Sequence, residues 1–348
     1  MAIDYKNSFI KKVSAHKVGN KANQEELSLS SKPNDILDVK LHDLLKKYFL
    51  SSLKVEEFYT FTSSNGDVTL NPVFSFCSKI FDDENCFHEQ SQNIAQHLYH
   101  SSDHPNIKPG DFYVSFFKDI LYEDDLVEAV GFFKAEKKHS FIQLIDDEGG
   151  YKLKWDDGVS IEKLDKGCLV LNVEKDSGYK VLIVDKVSKK DEAHYWKDIF
   201  LKLKPCADSY HHTQSYLNLT KDFIDSLKED IEVGKTDQID LENKSIDYFK
   251  TNNSFDQKEF DREILGDPKL VDSFKDFSHE YETVDQIPLS HNFEIAPQAV
   301  KKQAKFFKSV LKLDKNFHVY IHGNKNLIER GIDNDGRKFY KLFYQEET

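Results

Sequence analysis

The sequence predicts an α+β protein: an antiparallel-sheet domain with packed helices, followed by a mainly helical domain that ends in a small antiparallel sheet. Two observations support this fold class. Short runs rich in Val, Ile, Leu and Phe, separated by acidic or glycine-containing turns, fill the middle of the chain, whereas apolar residues at helical spacing dominate after residue 190. We place the boundary near Ser188, which gives domains of residues 1–188 and 189–348.

In the first domain, the pattern predicts strands and two helices. Strand-like stretches occur in residues 3–18 and 26–30, and helical spacing predicts helices over residues 36–48 and 87–98. An antiparallel meander is expected to follow, with strands at residues 112–117, 126–133, 141–145, 168–173 and 181–187. The sequence Asp176-Ser177-Gly178, between the last two strands, is the clearest hairpin signal in the chain.

The composition of the 348-residue chain excludes several classes of protein. Hydrophobic residues make up 39% and aromatic residues 13%, so the chain can form cores and wholesale disorder is not expected. No run approaches the roughly 18 apolar residues of a membrane span, and the amino terminus lacks a secretory signal. We therefore expect a soluble, non-secreted protein without membrane contact. The four cysteines form no CxxC pair, which favours reduced thiols over a zinc ribbon.

The second domain is predicted to carry a segregated charge. After helical faces around Trp196 and Phe223, residues 222–294 contain 20 acids against 8 bases, which accounts for nearly all of the formal net charge of −13. A field of that sign repels nucleic acid, and salt screens it over roughly 8 Å. Any DNA contact must therefore come from a patch turned away from this acidic segment.

A lysine-rich stretch at residues 296–315 is such a patch, and its spacing predicts a helix with two stripes. Apolar residues recur at the offsets of one helical face, and lysines repeat those offsets one position later. Six lysines stand against one acid, a local charge of +5. The apolar stripe is Val300, Ala304, Phe307 and Leu311, and the candidate DNA-binding residues are Lys301, Lys302, Lys305, Lys308, Lys312 and Lys315. A plain solvated helix face remains the alternative interpretation of this pattern.

The chain is predicted to end in a small sheet with a terminal β-hairpin. Residues 317–322 alternate as a strand, and residues 327–332 and 337–344 are joined by a turn at residues 333–336. This turn, Asp-Asn-Asp-Gly, resembles the beginning of a calcium loop. Its glycine comes two positions too early, and Tyr344 holds the place of the closing glutamate, so a hairpin turn is predicted.

The sequence lacks the common motifs for catalysis, metal binding and cofactor binding. There is no GxSxG nucleophile motif and no glycine-rich phosphate loop. His211 and His212 are adjacent and have no partner at the spacing of a zinc site. The acidic pairs at residues 124–125 and 146–147 could hold magnesium in a nuclease, but their turn positions favour plain solvated loops. We expect no catalytic residue, no metal and no cofactor.

Several stretches along nearly the whole chain occur in an order shared with one protein family. They are Ile3-Asp4-Tyr5, Glu26-Leu27-Ser28-Leu29, Gly110-Asp111-Phe112-Tyr113-Val114, Leu126-Val127-Glu128-Ala129-Val130, Trp196-Lys197-Asp198-Ile199-Phe200-Leu201, Ala207-Asp208-Ser209, Phe317-His318-Val319 and Leu327-Ile328-Glu329-Arg330-Gly331-Ile332. In this order they resemble the bacterial nucleoid-associated protein family of the YejK or NdpA type. The resemblance implies a cytoplasmic bacterial protein that is associated with the nucleoid and binds DNA. It brings no catalytic residues with it, and the acidic segment departs from a general DNA-coating protein.

The sequence leaves three functions open. The leading hypothesis is a nucleoid-associated, non-enzymatic protein that binds DNA phosphates in a sequence-independent and salt-sensitive way. The second is an acidic protein-interaction module that reaches the nucleoid through a basic or DNA-bound protein. The third is a metal-dependent nuclease. A homo-oligomer is compatible with all three, because the sequence does not fix the number of subunits.

Overall fold

A computed structural model describes most of the chain in two compact units. The described residues are 3–53, 57–185, 195–230, 234–285, 289–307, 310–314, 316–321 and 327–346. Internal contacts group the chain into the units Met1–Cys206 and Ala207–Thr348. The expected boundary near Ser188 falls outside the described residues, and the domain boundary stays a prediction that fragments can test.

The first unit is an antiparallel sheet with helices. In chain order its elements are β1 (Ile3–Asp4), β2 (Phe9–Val18), β3 (Leu27–Ser28), α1 (Val39–Leu50), β4 (Tyr59–Phe61), α2 (Pro72–Asp82), α3 (Phe87–Ser101), β5 (Gly110–Tyr122), β6 (Asp125–Ala135), β7 (His139–Asp147), β8 (Gly150–Gly158), β9 (Lys166–Leu171), β10 (Lys180–Asp185) and β11 (Leu203–Pro205). A π-helical segment, Tyr195–Leu201, precedes β11. Four of the five predicted meander strands are confirmed as β5, β6, β9 and β10, which pair in that order. The fifth, at residues 141–145, lies in β7, which pairs with β8, a strand that the sequence did not predict; α2 is also an additional helix.

Nine of these strands form one sheet. Its order is β11-β4-β10-β9-β6-β5-β2-β3, with β1 beside β5, and every pair is antiparallel. The strands β7 and β8 pair with each other as a separate two-stranded ribbon.

The central strands are apolar at successive positions because helices cover both faces of the sheet. Phe116 belongs to the core beneath α2 and α3, whereas its neighbour Phe117 belongs to the core beneath α1. Phe132 and Phe133 divide in the same way, and the ring of Phe133 stacks on Phe49 of α1 with centroids 4.2 Å apart. Since side chains alternate across a strand, continuous apolar runs are what a doubly covered sheet requires.

Local signals explain where the helices and the best-predicted hairpin begin. The Asp38 side chain accepts from the backbone N–H of Leu41 at the start of α1, and Asn71 caps α2 ahead of its first-turn proline. The hairpin between β9 and β10 is confirmed, with Gly178 in the left-handed region at φ 97°.

The second unit is mainly helical. Its elements are α4 (Ser209–Asp230), α5 (Lys235–Thr251), β12 (Ser254–Asp256), α6 (Gln257–Phe260), α7 (Pro268–Asp285), β13 (Asn292–Glu294), α8 (Pro297–Gln303), β14 (Val310–Leu313), β15 (Phe317–Tyr320), β16 (Ile328–Ile332) and β17 (Lys338–Leu342). The strands form three antiparallel pairs: β12 with β13, β14 with β15, and β16 with β17. The predicted α+β fold and the terminal hairpin are therefore confirmed.

An aromatic core lets the acidic segment fold despite its charge. Phe255 stacks on Phe249 at 5.4 Å and on Phe293 at 4.8 Å, and it lies 4.3 Å from the ring of Tyr216 in α4. Phe249, Phe255 and Tyr216 are buried among the helices and Phe293 is partly buried, while most of the described acids face solvent. Burial of large aromatic surface offsets the repulsion among the carboxylates.

Candidate nucleic-acid interface

The lysine-rich stretch does not form one helix over residues 296–315, so that prediction was wrong. The helix α8 begins at Pro297, as the sequence indicated, but it ends at Gln303. A 3-10 turn, Ala304–Phe306, follows, and the chain then enters β14. The predicted second half of the helix is therefore a turn and a strand.

Pairing with a neighbouring strand explains why residues 310–313 are a strand and not part of a longer helix. Val310 lies opposite Tyr320 and Leu313 opposite Phe317 in the β14–β15 pair, and Asp314 begins the connecting turn with φ 51°. Leu311 is 2% exposed and packs with Ile321. The backbone pairing and the burial of Leu311 come from tertiary contacts, which override weak helical propensity.

The apolar positions of the stripe were nevertheless predicted well. Val300 is 4% exposed and Phe307 is 9% exposed, and both belong to the aromatic core of the second unit. Ala304 is partly buried against the same core. Helical spacing identified which residues turn inward, although the chain uses two kinds of backbone to achieve it.

Two of the candidate lysines are exposed cations. Lys301 lies in α8 and Lys305 lies four residues later, so the two side chains are on successive turns. Within the described part of the chain, neither forms an ion pair with an acid. This arrangement leaves two ammonium groups available to an external anion.

The other four lysines are placed differently. Lys302 is half-buried, with its ammonium 5.6 Å from the centre of the Tyr210 ring. Lys312 lies on β14, where the structure describes its backbone but not its side chain. Lys308 and Lys315 lie outside the described residues. The roles of all six lysines in DNA binding stay a prediction.

One exposed aromatic ring lies beside a candidate lysine and two more lie on β15, and the lysine pattern of the sequence did not indicate any of them. The Phe306 ring is 54% exposed, and the Lys305 ammonium lies 5.0 Å from its centre. On β15, Phe317 is 64% exposed and Tyr320 is 65% exposed. The apolar stripe assigned Phe307 to the buried face, so the adjacent Phe306 is the ring expected to face outward, and the fold agrees. Rings beside cations can stack on bases while the cations bind phosphate.

The cations of the terminal hairpin contrast with Lys301 and Lys305, because acids engage them. The Arg337 guanidinium lies 2.8 Å from a carboxylate oxygen of Asp333 and 2.9 Å from one of Asp335. Lys341 lies 3.4 Å from Glu329 on the opposite strand. The turn that resembled a calcium loop thus holds its own arginine, which supports the hairpin interpretation.

Titratable groups also line a cavity in the acidic segment. Its volume is about 680 Å³, and its walls include Asp256, Asp261, Lys275, Glu282 and His291. Burial raises the pKa of the Asp261 carboxyl. Throughout the residues that the structure describes, no group of three His, Cys, Asp or Glu side chains is arranged to hold a metal ion.

Comparison with known proteins defines the class of this protein. A family model matches residues 14–337, nearly the whole chain, and it represents a nucleoid-associated protein. The chain belongs to the family of nucleoid-associated protein YejK. The resemblance inferred from the order of short motifs is thereby confirmed, and membership implies a bacterial protein located at the nucleoid and concerned with chromosome organisation. No match is found among curated proteins. In the described regions, no helix is both long and apolar enough to cross a membrane.

Proposed function

We propose that this protein is a non-enzymatic DNA-binding protein of the nucleoid, and that the lysines of residues 301–315 contact the DNA backbone. The observation that carries the proposal is the pair Lys301 and Lys305, exposed on successive turns and without an acidic partner among the described residues. A lysine that contacts phosphate acts as a point charge, and such a contact does not read base edges. Binding should therefore be independent of sequence.

The charge distribution of the second unit requires this contact to be local. The acidic segment repels DNA, but its field is screened within about 8 Å at physiological salt. The lysine stretch concentrates six cations against the single acid Asp314. If all six neutralise phosphates, the logarithm of the binding constant should fall with that of salt concentration with a slope of about −5.

Reversing the charge of the two exposed lysines tests the proposal. We expect Lys301→Glu with Lys305→Glu to weaken binding of a random duplex at least about tenfold and to make the salt slope less steep by about 2, since two phosphate contacts are lost. Fluorescence anisotropy of a labelled duplex at several salt concentrations between 50 and 200 mM measures both quantities.

A control variant with the same change in net charge shows whether the loss of DNA binding comes from Lys301 and Lys305 or only from the lower total charge. Lys258→Glu with Lys269→Glu alters two exposed lysines of the same unit that lie outside the lysine stretch. This control should bind DNA nearly as well as the unmodified protein. Equal losses in both variants, or unchanged binding in the first, would exclude the proposed lysine contacts.

A second candidate function is an acidic interaction module, and the surface of α7 favours it. Asp272, Asp276 and Glu280 are exposed at a spacing of four residues, which places them on one face of that helix. Such a stripe could bind a basic nucleoid protein. Failure of the purified protein to bind DNA at low salt, together with nuclease-resistant capture of a basic partner that is lost on neutralising the three acids, would favour this function.

A nuclease assay tests the non-enzymatic part of the proposal. The sequence Asp124-Asp125 lies at the exposed β5–β6 turn, and Asp146-Asp147 lies at the end of the β7–β8 ribbon. We expect no cleavage of duplex or single-stranded DNA with magnesium or manganese. Cleavage that is lost when these aspartates become asparagine would identify a metal-dependent nuclease instead.

A further inference from the structure

The β7–β8 ribbon is the most exposed regular element of the first unit. Its two nine-residue strands pair with each other, and no pairing with another strand is described. Every residue of β7 is exposed, and so is every residue of β8 before Gly158. A two-stranded hairpin is marginal in water unless a face of it is covered.

The two faces of this ribbon differ in chemistry. Ile142 lies opposite Trp155, and Leu144 lies opposite Leu153, so these four side chains and the alternate residue Tyr151 share one face. Their exposed fractions are 76% for Ile142, 68% for Trp155, 63% for Leu144, 71% for Leu153 and 72% for Tyr151. We call these five residues the apolar ribbon face.

The opposite face is more polar, because at least one residue of each opposed pair is polar or charged. Gln143 lies opposite Lys154, and Ile145 lies opposite Lys152. The apolar side chains on this face are less exposed, at 42% for Phe141 and 41% for Ile145. The ribbon is therefore amphipathic, and its more apolar face is the more exposed one, which is the reverse of what a sheet folded only for its own chain requires.

We propose that the apolar ribbon face is the dimerisation surface of this protein, covered by the same face of a second copy. A twofold axis would place the two ribbons face to face as a four-stranded, two-layer sandwich, with the sheets about 10 Å apart. Each apolar side chain then lies against apolar side chains of the partner copy.

The exposed area agrees with what a stable dimer needs. A large aromatic side chain can bury about 150 to 250 Å². Five large apolar side chains that are about two-thirds exposed thus offer on the order of 600 Å² per copy. Two copies reach about 1,200 Å², the lower bound of specific interfaces. The area of one copy, about 600 Å², is at the upper end of the largest apolar patch that a typical monomer exposes.

The charge of the ribbon argues against a polyanion as the partner of this face. The ribbon and its turn carry five acids, Asp146, Asp147, Glu148, Asp156 and Asp157, against two lysines, Lys152 and Lys154. A net charge of −3 disfavours nucleic acid and anionic lipid. By register, Asp146 and Asp157 lie at the two ends of the apolar ribbon face, and the other charges lie at the turn or on the outer face. In the dimer they stay at the edges and outer faces of the sandwich, where water hydrates them.

The two tryptophans of the chain report directly on whether the apolar ribbon face is covered. Trp155 lies on the apolar ribbon face, whereas Trp196 is fully buried in the first unit. In a monomer, acrylamide should quench one tryptophan and spare the other. In the proposed dimer both are protected, so quenching of the full-length protein should rise on dilution at the same concentration at which sedimentation velocity shows dissociation.

A matched pair of variants tests the face itself. Leu144→Thr with Leu153→Thr changes an opposed pair on the apolar ribbon face while keeping residues that favour strands. We expect the dimer dissociation constant to rise about a hundredfold or more. Gln143→Thr with Lys154→Thr changes the next opposed pair on the polar face and should leave the constant within about threefold of the original.

Several outcomes would overturn the proposal. The wild-type protein could remain a monomer up to 100 µM, with Trp155 either open to quenching or already protected. It could form a dimer that the leucine variant does not weaken. Trp155 could also become protected only when lipid vesicles are added. If the leucine variant fails to fold, as circular dichroism would show, the wild-type dilution experiment still decides. If the wild-type protein forms the dimer but does not bind DNA, only the proposed function is refuted.

Discussion

At the residue scale, His16 shows how packing sets chemistry that a sequence leaves open. Its side chain is buried in the first unit, where its Nδ1 accepts from the backbone N–H of Ser30 at 3.2 Å. The other ring nitrogen therefore carries the proton, and it lies 3.1 Å from the Ser91 hydroxyl. Burial, with a contribution from His88, lowers the pKa of His16 from 6.5 to about 4.

The lowered pKa of His16 predicts that the protein loses stability as the pH falls. Because the unfolded chain takes up a proton near pH 6.5 and the folded protein only near pH 4, stability is present above pH 6.5 and declines as the pH falls to 4. The loss should reach up to about 3 kcal/mol, since each pKa unit corresponds to about 1.4 kcal/mol. Urea unfolding at pH 7, 5.5 and 4.5, followed through buried Trp196, measures it.

Two histidine variants show whether His16 causes that loss. His16→Gln should be less stable at pH 7 but should lose less on acidification. His318→Gln, a change at an exposed histidine of the second unit, should keep the original pH dependence. An unchanged acid loss in His16→Gln would assign it to other groups.

At the element scale, the β9–β10 hairpin depends on a position that only glycine suits. Gly178 has φ 97°, and a Cβ there would lie 2.7 Å from the carbonyl oxygen of Phe61 and 2.6 Å from the Thr60 hydroxyl. The Gly178 carbonyl also accepts from the backbone N–H of Phe61 at 3.0 Å. The turn thus holds β4 in place as well as closing its own hairpin.

Replacing Gly178 by alanine should therefore lower the free energy of unfolding more than the same replacement in an open turn. We expect Gly178→Ala to lower the free energy of unfolding by about 3 kcal/mol, from left-handed strain and from displaced backbone. Gly149→Ala is the matched control, because Gly149 has φ 80° but nothing within 4 Å of its added Cβ. It should cost about 1 kcal/mol. Similar losses in urea unfolding would refute the close-contact explanation.

Elements also differ in how far the sequence predicts them. The β9–β10 hairpin and the terminal hairpin have strong local turn signals, and both were predicted. The helical spacing of Ile199 from Trp196 predicts that the two share a buried face, yet Ile199 is 52% exposed. The segment is a π-helix, whose wider turn shifts residue i+3 off that face. Periodicity assumes a regular α-helix, so it misplaces residues where tertiary packing selects another backbone.

At the scale of the whole molecule, each unit has its own hydrophobic core. Trp196 and Phe200 are fully buried in the core of the first unit, and β11 pairs with β4 of its sheet. The second unit surrounds the aromatic cluster that contains Phe255. Separate cores of this kind are typical of units that fold independently.

Fragments test this division and its position. We expect residues 1–206 and 207–348 each to unfold cooperatively, whereas residues 1–188 lack Trp196, Phe200 and β11 and should be poorly folded. Circular dichroism and urea unfolding of the three fragments provide the measurement. Equal cooperativity of the fragments 1–188 and 1–206 would instead support the boundary expected near Ser188.

The sequence by itself determined the fold class, four of the five strands of the central meander, the terminal hairpin, the family and the inward-facing residues of the lysine-rich stretch. Periodicity and turn chemistry are local, so they could be read without a structure. The tertiary structure alone decided that α8 ends at Gln303, that Leu311 is buried from a strand instead of a helix, and that the apolar ribbon face is left uncovered. Each depends on whether a distant segment supplies a partner for a backbone or an apolar face, and local sequence does not contain that information.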